Sequence, residues 1–152
     1  MSNRSVTAEE LIEKFWESIP PAWRETRETI RRIAVEQFDM TVGQFQVLRR
    51  IRKGVDTVSG LAQANRTSRP AVSKAVDALV NKGLVSRLVD AKDRRHVHLT
   101  LTDEGQRLLE AVYDQAEAWL REKFQSLPPD ELSTLLTAMN ILQKTFDVAK
   151  QP

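Results

Sequence analysis

Apolar residues recur at three- and four-residue spacing from Leu11 onward, change to a spacing of two near Leu84 to Leu101, and return to helical spacing up to Phe146. A helix repeats its buried face every 3.6 residues and a half-exposed strand every 2, so the pattern predicts a mainly helical chain interrupted by one β-hairpin. Thr7-Ala8-Glu9-Glu10 is a capping box, which opens a first helix with Leu11, Ile12, Phe15, Trp16 and Ile19 on one face. Pro20-Pro21 is expected to interrupt that helix, because a proline ring has no donor and restricts the residue before it. Trp23, Ile30, Ile33 and Ala34 resume the pattern to about Gln37. A second capping box, Thr41-Val42-Gly43-Gln44, precedes Phe45, Leu48 and Ile51, with Arg49, Arg50, Arg52 and Lys53 around the remaining face and Gly54 as terminator. Those four cations complement the negative end of a helix dipole, and contact with phosphates is the alternative use.

Thr57 can cap a short helix carrying Val58, Leu61 and Ala62. Thr67-Ser68-Arg69-Pro70 announces the next helix, since a hydroxyl accepts from an orphan N–H and a proline fits the first turn. Val72, Val76, Leu79 and Val80 form its apolar stripe. Pro70, Ala71, Ser73, Lys74, Asp77 and Asn81 project to the other side, where the N-terminal half carries no acid and suits a major groove. Gly83 ends the helix. Leu84 to Val89 then pairs with Val97, Leu99 and Leu101, which alternate with polar residues, and Asp90-Ala91-Lys92-Asp93-Arg94-Arg95 forms a basic tip. Helix, turn, helix and basic-tipped hairpin between Thr57 and Thr102 are the outline of a winged helix-turn-helix. The candidate DNA-binding residues are Ser68, Arg69, Pro70, Ala71, Ser73 and Lys74 on the helix and Lys92, Asp93, Arg94 and Arg95 on the wing.

Beyond Thr102, a long helix carries Leu108, Val112, Ala116, Trp119, Leu120 and Phe124, and Pro128-Pro129 separates it from a last helix with Leu132, Leu135, Leu136, Met139, Leu142 and Phe146. These seams fit either a dimer interface or an intramolecular helical core.

Leu61-Ala62, Val72-Ser73-Lys74, Lys82-Gly83-Leu84-Val85, Asp93-Arg94-Arg95 and Leu101-Thr102-Asp103-Glu104-Gly105 follow one another in an order and spacing that resemble the multiple antibiotic resistance regulator (MarR) family. The resemblance covers most of the chain. It implies a homodimeric regulator that binds palindromic double-stranded DNA, is often released by a small ligand, and acts here more as repressor than activator. It implies a winged helix-turn-helix lobe over residues 41–102, an N-terminal dimerisation region over 7–37 and C-terminal dimerisation helices over 103–149. In the family's wing motif the aspartate holds the second arginine for the minor groove, and those residues correspond to Asp93 and Arg95. Trp16, Trp23, Phe38, Phe45 and Tyr113 are candidates for lining a pocket like the family's effector sites, for a small aromatic or amphipathic effector; plain core is the alternative.

Composition sharpens this picture. The chain has 152 residues and a net charge of +2, but residues 49–95 hold 12 basic and 4 acidic side chains, so the cationic surplus coincides with the expected reading head. There is no cysteine, which excludes disulfides and thiolate chemistry. No apolar run approaches a membrane span and no secretion signal is visible, so a cytoplasmic protein without membrane association is expected. The 21 carboxylates are scattered, and no phosphate loop or hydrolase motif occurs, so no enzyme activity and no cofactor are expected. His96 and His98 would share a strand face, the geometry of two metal ligands, but two ligands do not make a site and no metal is assigned. A protein-interaction module and a non-specific architectural DNA binder are the alternative functions.

Overall fold

The computed structural model describes residues 5–146. Among them run α1 (Ala8–Phe38), α2 (Val42–Arg52), α3 (Val58–Asn65), α4 (Arg69–Asn81), β1 (Val85–Val89), β2 (Val97–Leu101), α5 (Asp103–Gln125) and α6 (Pro129–Thr145). The fold is mainly α with a two-stranded antiparallel wing, in which Val85 pairs with Leu101 and Val89 with Val97. The chain forms two compact units, Met1–Ala116 and Glu117–Pro152, so the division falls inside α5. Residues 147–149 of the expected C-terminal segment lie outside the described residues.

The helices start where hydroxyls can satisfy free backbone donors. Thr7 and Thr41 each complete a reciprocal capping box, with Glu10 and Gln44 returning the bond, and Thr57 and Ser68 cap α3 and α4. Each ordinary cap contributes on the order of 1 kcal/mol. Glycine takes two of the turns that demand positive φ, Gly54 at 93° and Gly83 at 72°, where a Cβ would be strained.

The first unit packs α2, α3, α4 and the wing around Phe45, Leu48, Leu61, Val72, Val76, Leu79, Leu99, Leu109 and Val112. Burial fades along the wing: Leu99 is enclosed, Leu101 is half-buried, and Val97 near the tip is exposed. The corner between α4 and α5 is closed by hydrogen bonds: the Thr102 hydroxyl donates to the Gly83 carbonyl (2.6 Å) and its oxygen accepts from the Gly105 amide (3.0 Å).

The structure corrects the break expected at Pro20-Pro21, because α1 continues through both prolines as one helix of 31 residues. The carbonyls deprived of a donor belong to Trp16 and Glu17, both on an exposed stretch where water can replace the missing bonds. Only Thr29, Ile33 and Ala34 of α1 are buried. Leu11, Ile12, Trp16, Ile19 and Trp23 are exposed, so the amphipathic face read from the sequence exists but is uncovered in the protomer. In the second unit, α6 buries none of its residues, and Leu136 and Met139 stand open to solvent.

Candidate nucleic-acid interface

The candidate recognition helix is α4, whose buried stripe of Val72, Val76 and Leu79 fixes its rotation about its own axis. That rotation leaves Pro70, Ala71, Lys74 and Asp77 exposed and Ser73 half-buried, as the helical projection predicts. At its N-terminus the Ser68 hydroxyl oxygen accepts from the Ala71 amide at 3.3 Å. The hydroxyl proton stays available for an anion in front of the helix. Arg69 is already held, because its guanidinium donates to the Ser59 hydroxyl at the start of α3.

Two long-range contacts not legible in the sequence hold α4 in place. The Arg87 guanidinium on β1 pairs with the Asp77 carboxylate, which joins the recognition helix to the wing and neutralises the one acid on its outer face. At the other end the Lys82 ammonium donates to the Asp39 carbonyl at 2.5 Å, tying the end of α4 to the end of α1. Arg50 braces the turn between α3 and α4: its Nε donates to Asn65 Oδ1 (3.3 Å) and another guanidinium nitrogen to the Ala64 carbonyl (3.2 Å). Arg50 therefore has a structural task in the protomer, and Arg52 lies 4.7 Å from the centre of the Tyr113 ring.

The wing tip is shaped by two aspartates that fold back onto the backbone. Asp90 Oδ1 accepts from the Lys92 amide at 2.8 Å, and Asp93 Oδ1 accepts from the Arg95 amide at 3.0 Å. The Lys92 bond, foremost, holds the Asp90 carboxyl below the ordinary carboxylate range. Asp93 Oδ1 also lies 3.4 Å from Arg95 Nε, while the Arg95 side chain is 92% exposed. The same carboxylate thus steadies both the backbone and the side chain of a projecting arginine. Lys92 and Arg94 are exposed beside it.

The two histidines have different neighbours. β2 begins at Val97, so His96 precedes the strand, and the Asp90 amide donates to its carbonyl in closing the hairpin. His96 Nε2 lies 3.8 Å from Asp93 Oδ2, whereas His98 Nδ1 lies 2.8 Å from Asp56 Oδ2, so each imidazole has its own carboxylate. Asp56 went unnoticed in the sequence, although its carbonyl also accepts from the Leu99 amide at 2.7 Å and anchors β2. Nothing local signals this, since 42 residues separate Asp56 from His98.

The five aromatics considered for a ligand pocket differ in how far they are buried. Phe45 is fully enclosed in the core, Phe38 and Tyr113 are half-buried, and Trp16 and Trp23 stand in solvent on α1. Burial of Phe45 follows from its place on the inner face of α2, between Thr41 and Leu48.

The sequence pattern of the MarR family matches residues 38–96, the segment that contains α2, α3, α4, β1 and the wing tip and ends just before β2. The HTH-type transcriptional repressor MdtR of Bacillus subtilis is 31% identical over 118 residues, covering 77% of this chain and 74% of MdtR. The chain belongs to the MarR family. This MarR-family chain also resembles the crystal structure of YusO from Bacillus subtilis (27% identity, TM-score 0.65, 95% of this chain and 100% of that one). At 22% identity, a mutant of S. aureus MepR, solved bound to an oligodeoxyribonucleotide, shares the fold with a TM-score of 0.67 over 93% of this chain and 99% of that one. The MarR-family protein described here is accordingly a DNA-binding transcriptional regulator with a winged helix, and among its described residues no helix is long and apolar enough to cross a membrane.

Proposed function

We propose that this regulator binds a palindromic operator as a homodimer, represses transcription from it, and is released when a small aromatic or amphipathic effector binds. The reading is carried by one arrangement: an acid-neutralised α4 face headed by Ser68 and Lys74, beside a wing whose Arg95 is steadied by Asp93. Ser68, Arg69, Pro70, Ala71, Ser73 and Lys74 are assigned to the major groove and its flanking phosphates. Arg95, with Lys92 and Arg94, is assigned to the adjacent minor groove, where narrow A·T-rich stretches concentrate negative potential.

Dimerisation is supported by the uncovered apolar faces of α1 and α6, since exposed large hydrophobics in this number mark a surface that meets another. A second copy supplies a self-complementary partner for each face. Two reading heads would then address half-sites about 34 Å apart, one turn of duplex. Repression is inferred from MdtR, which is named a repressor. Release follows if the effector prefers the arrangement that cannot span both half-sites, because equal affinity for both arrangements shifts nothing. Trp16 and Trp23 are exposed in the protomer, so their part in an effector pocket requires the second copy to cover them.

The test compares affinity for an inverted repeat upstream of the protein's own gene with affinity for random duplex at one salt concentration. A repressor of this kind prefers the repeat by at least about 10³-fold. Equal affinity would point to an architectural binder, and no binding to either would point to a protein-interaction module.

A further inference from the structure

A cleft of about 260 Å³ opens where the C-terminal ends of α2 and α3 meet α1. Five cations line it, Arg27, Arg49, Arg50, Lys53 and Arg66, and none of its lining residues is acidic. The neutral explanation is that these side chains balance the helix dipoles. Two helix C-termini, however, offer only about −1 elementary charge together, against five positive charges. A surplus of about four charges is left around one concavity. The Arg49 Nε is buried with no hydrogen-bond partner among the described residues, and its guanidinium lies over the Phe45 ring at 5.7 Å. Arg49 also lines the cleft, so an anion held there would offset the charge of that guanidinium. Gln46 and Asn65 add carboxamide groups to the lining, each able to donate.

We propose that this cleft is a phosphate-binding site, taking either a free phosphorylated compound or a phosphate of the duplex backbone. A guanidinium cluster matches the oxygens of a phosphoryl group, and a lining rich in cations and carboxamides suits an anion better than an apolar ring. The occupant would lie against Arg50, which holds the turn leading into α4, so occupancy is coupled to the setting of the recognition helix.

The probe is inorganic pyrophosphate, titrated calorimetrically into the full chain at constant ionic strength. A free phosphorylated ligand predicts one saturable site per chain with a dissociation constant below about 1 mM. Arg49→Gln and Arg27→Gln should each weaken it about tenfold, the worth of one charge-assisted hydrogen bond, while Arg107→Gln on α5 leaves it unchanged. If the duplex supplies the phosphate, pyrophosphate gives no saturable heat. Arg49→Gln then lowers the slope of log affinity against log salt by about one, equally for the operator and for random duplex. This second arm rests on the regulator reading; the pyrophosphate arm does not, and decides the cleft even if no duplex binds. Arg27→Gln, on the surface of α1, gives the same readings should Arg49→Gln fail to fold. No saturable heat together with an unchanged salt slope overturns the proposal.

Discussion

A Cβ placed on Gly105 would lie 2.1 Å from the carbonyl oxygen of Leu84. Neither side can retreat, because the Thr102 amide donates to that same oxygen at 3.1 Å and the Thr102 hydroxyl is bonded to Gly83. Gly105→Ala should therefore destabilise the first unit by about 2 kcal/mol or more, toward the upper part of the 1–3 kcal/mol range for overpacking. Urea denaturation measures it; an unchanged midpoint would show that α5 can shift away from the α4 corner.

Arg95→Ala is expected to weaken operator binding by about 1–3 kcal/mol, the range for one good base-edge contact. Asp93→Ala should weaken it as well, although it removes a negative charge from a surface facing DNA. The reason is that Asp93 fastens the Arg95 amide and side chain. Fluorescence anisotropy with a labelled operator reads both, and tighter binding by Asp93→Ala would contradict the positioning role.

Trp16→Glu places a charge on the uncovered face of α1, where Trp16 is 67% exposed in the protomer. If that face meets a second copy, self-association should weaken on the order of thirtyfold or more, as for loss of an aromatic anchor worth about 2 kcal/mol. Sedimentation equilibrium is the measurement. A wild-type association constant in the variant would place the dimer interface elsewhere.

Arg50→Ala removes both bonds that brace the turn between α3 and α4. The side chain is solvent-exposed, so the stability loss should stay near 1 kcal/mol. Operator affinity should fall by more than the loss of one phosphate contact explains, since the turn sets the angle of α4. A purely electrostatic role would instead lower the salt slope by about one and leave sequence preference intact.

Much of this arrangement is legible along the chain because it is completed within a few residues. The hydroxyl caps of Thr7, Thr41, Thr57 and Ser68 each bond three positions on, and Asp93 bonds two positions on to Arg95. Apolar spacing likewise determined which faces of α4 and β2 turn inward, since a helix or strand has no freedom to present those residues otherwise. By contrast, tertiary packing alone decided that Arg50 reaches Asn65, that Lys82 reaches Asp39 across 43 positions, and that His98 meets Asp56 rather than acting with His96. Nor does the local sequence show that α1 runs through Pro20-Pro21 as one helix. Periodicity along a single chain specifies an apolar face but not what covers it, and for α1 and α6 the protomer leaves those faces open. The amino-acid order thus determined the local geometry of the reading head, while the distances between distant charges, set by how the helices pack, decided which of its cations brace the fold and which remain exposed.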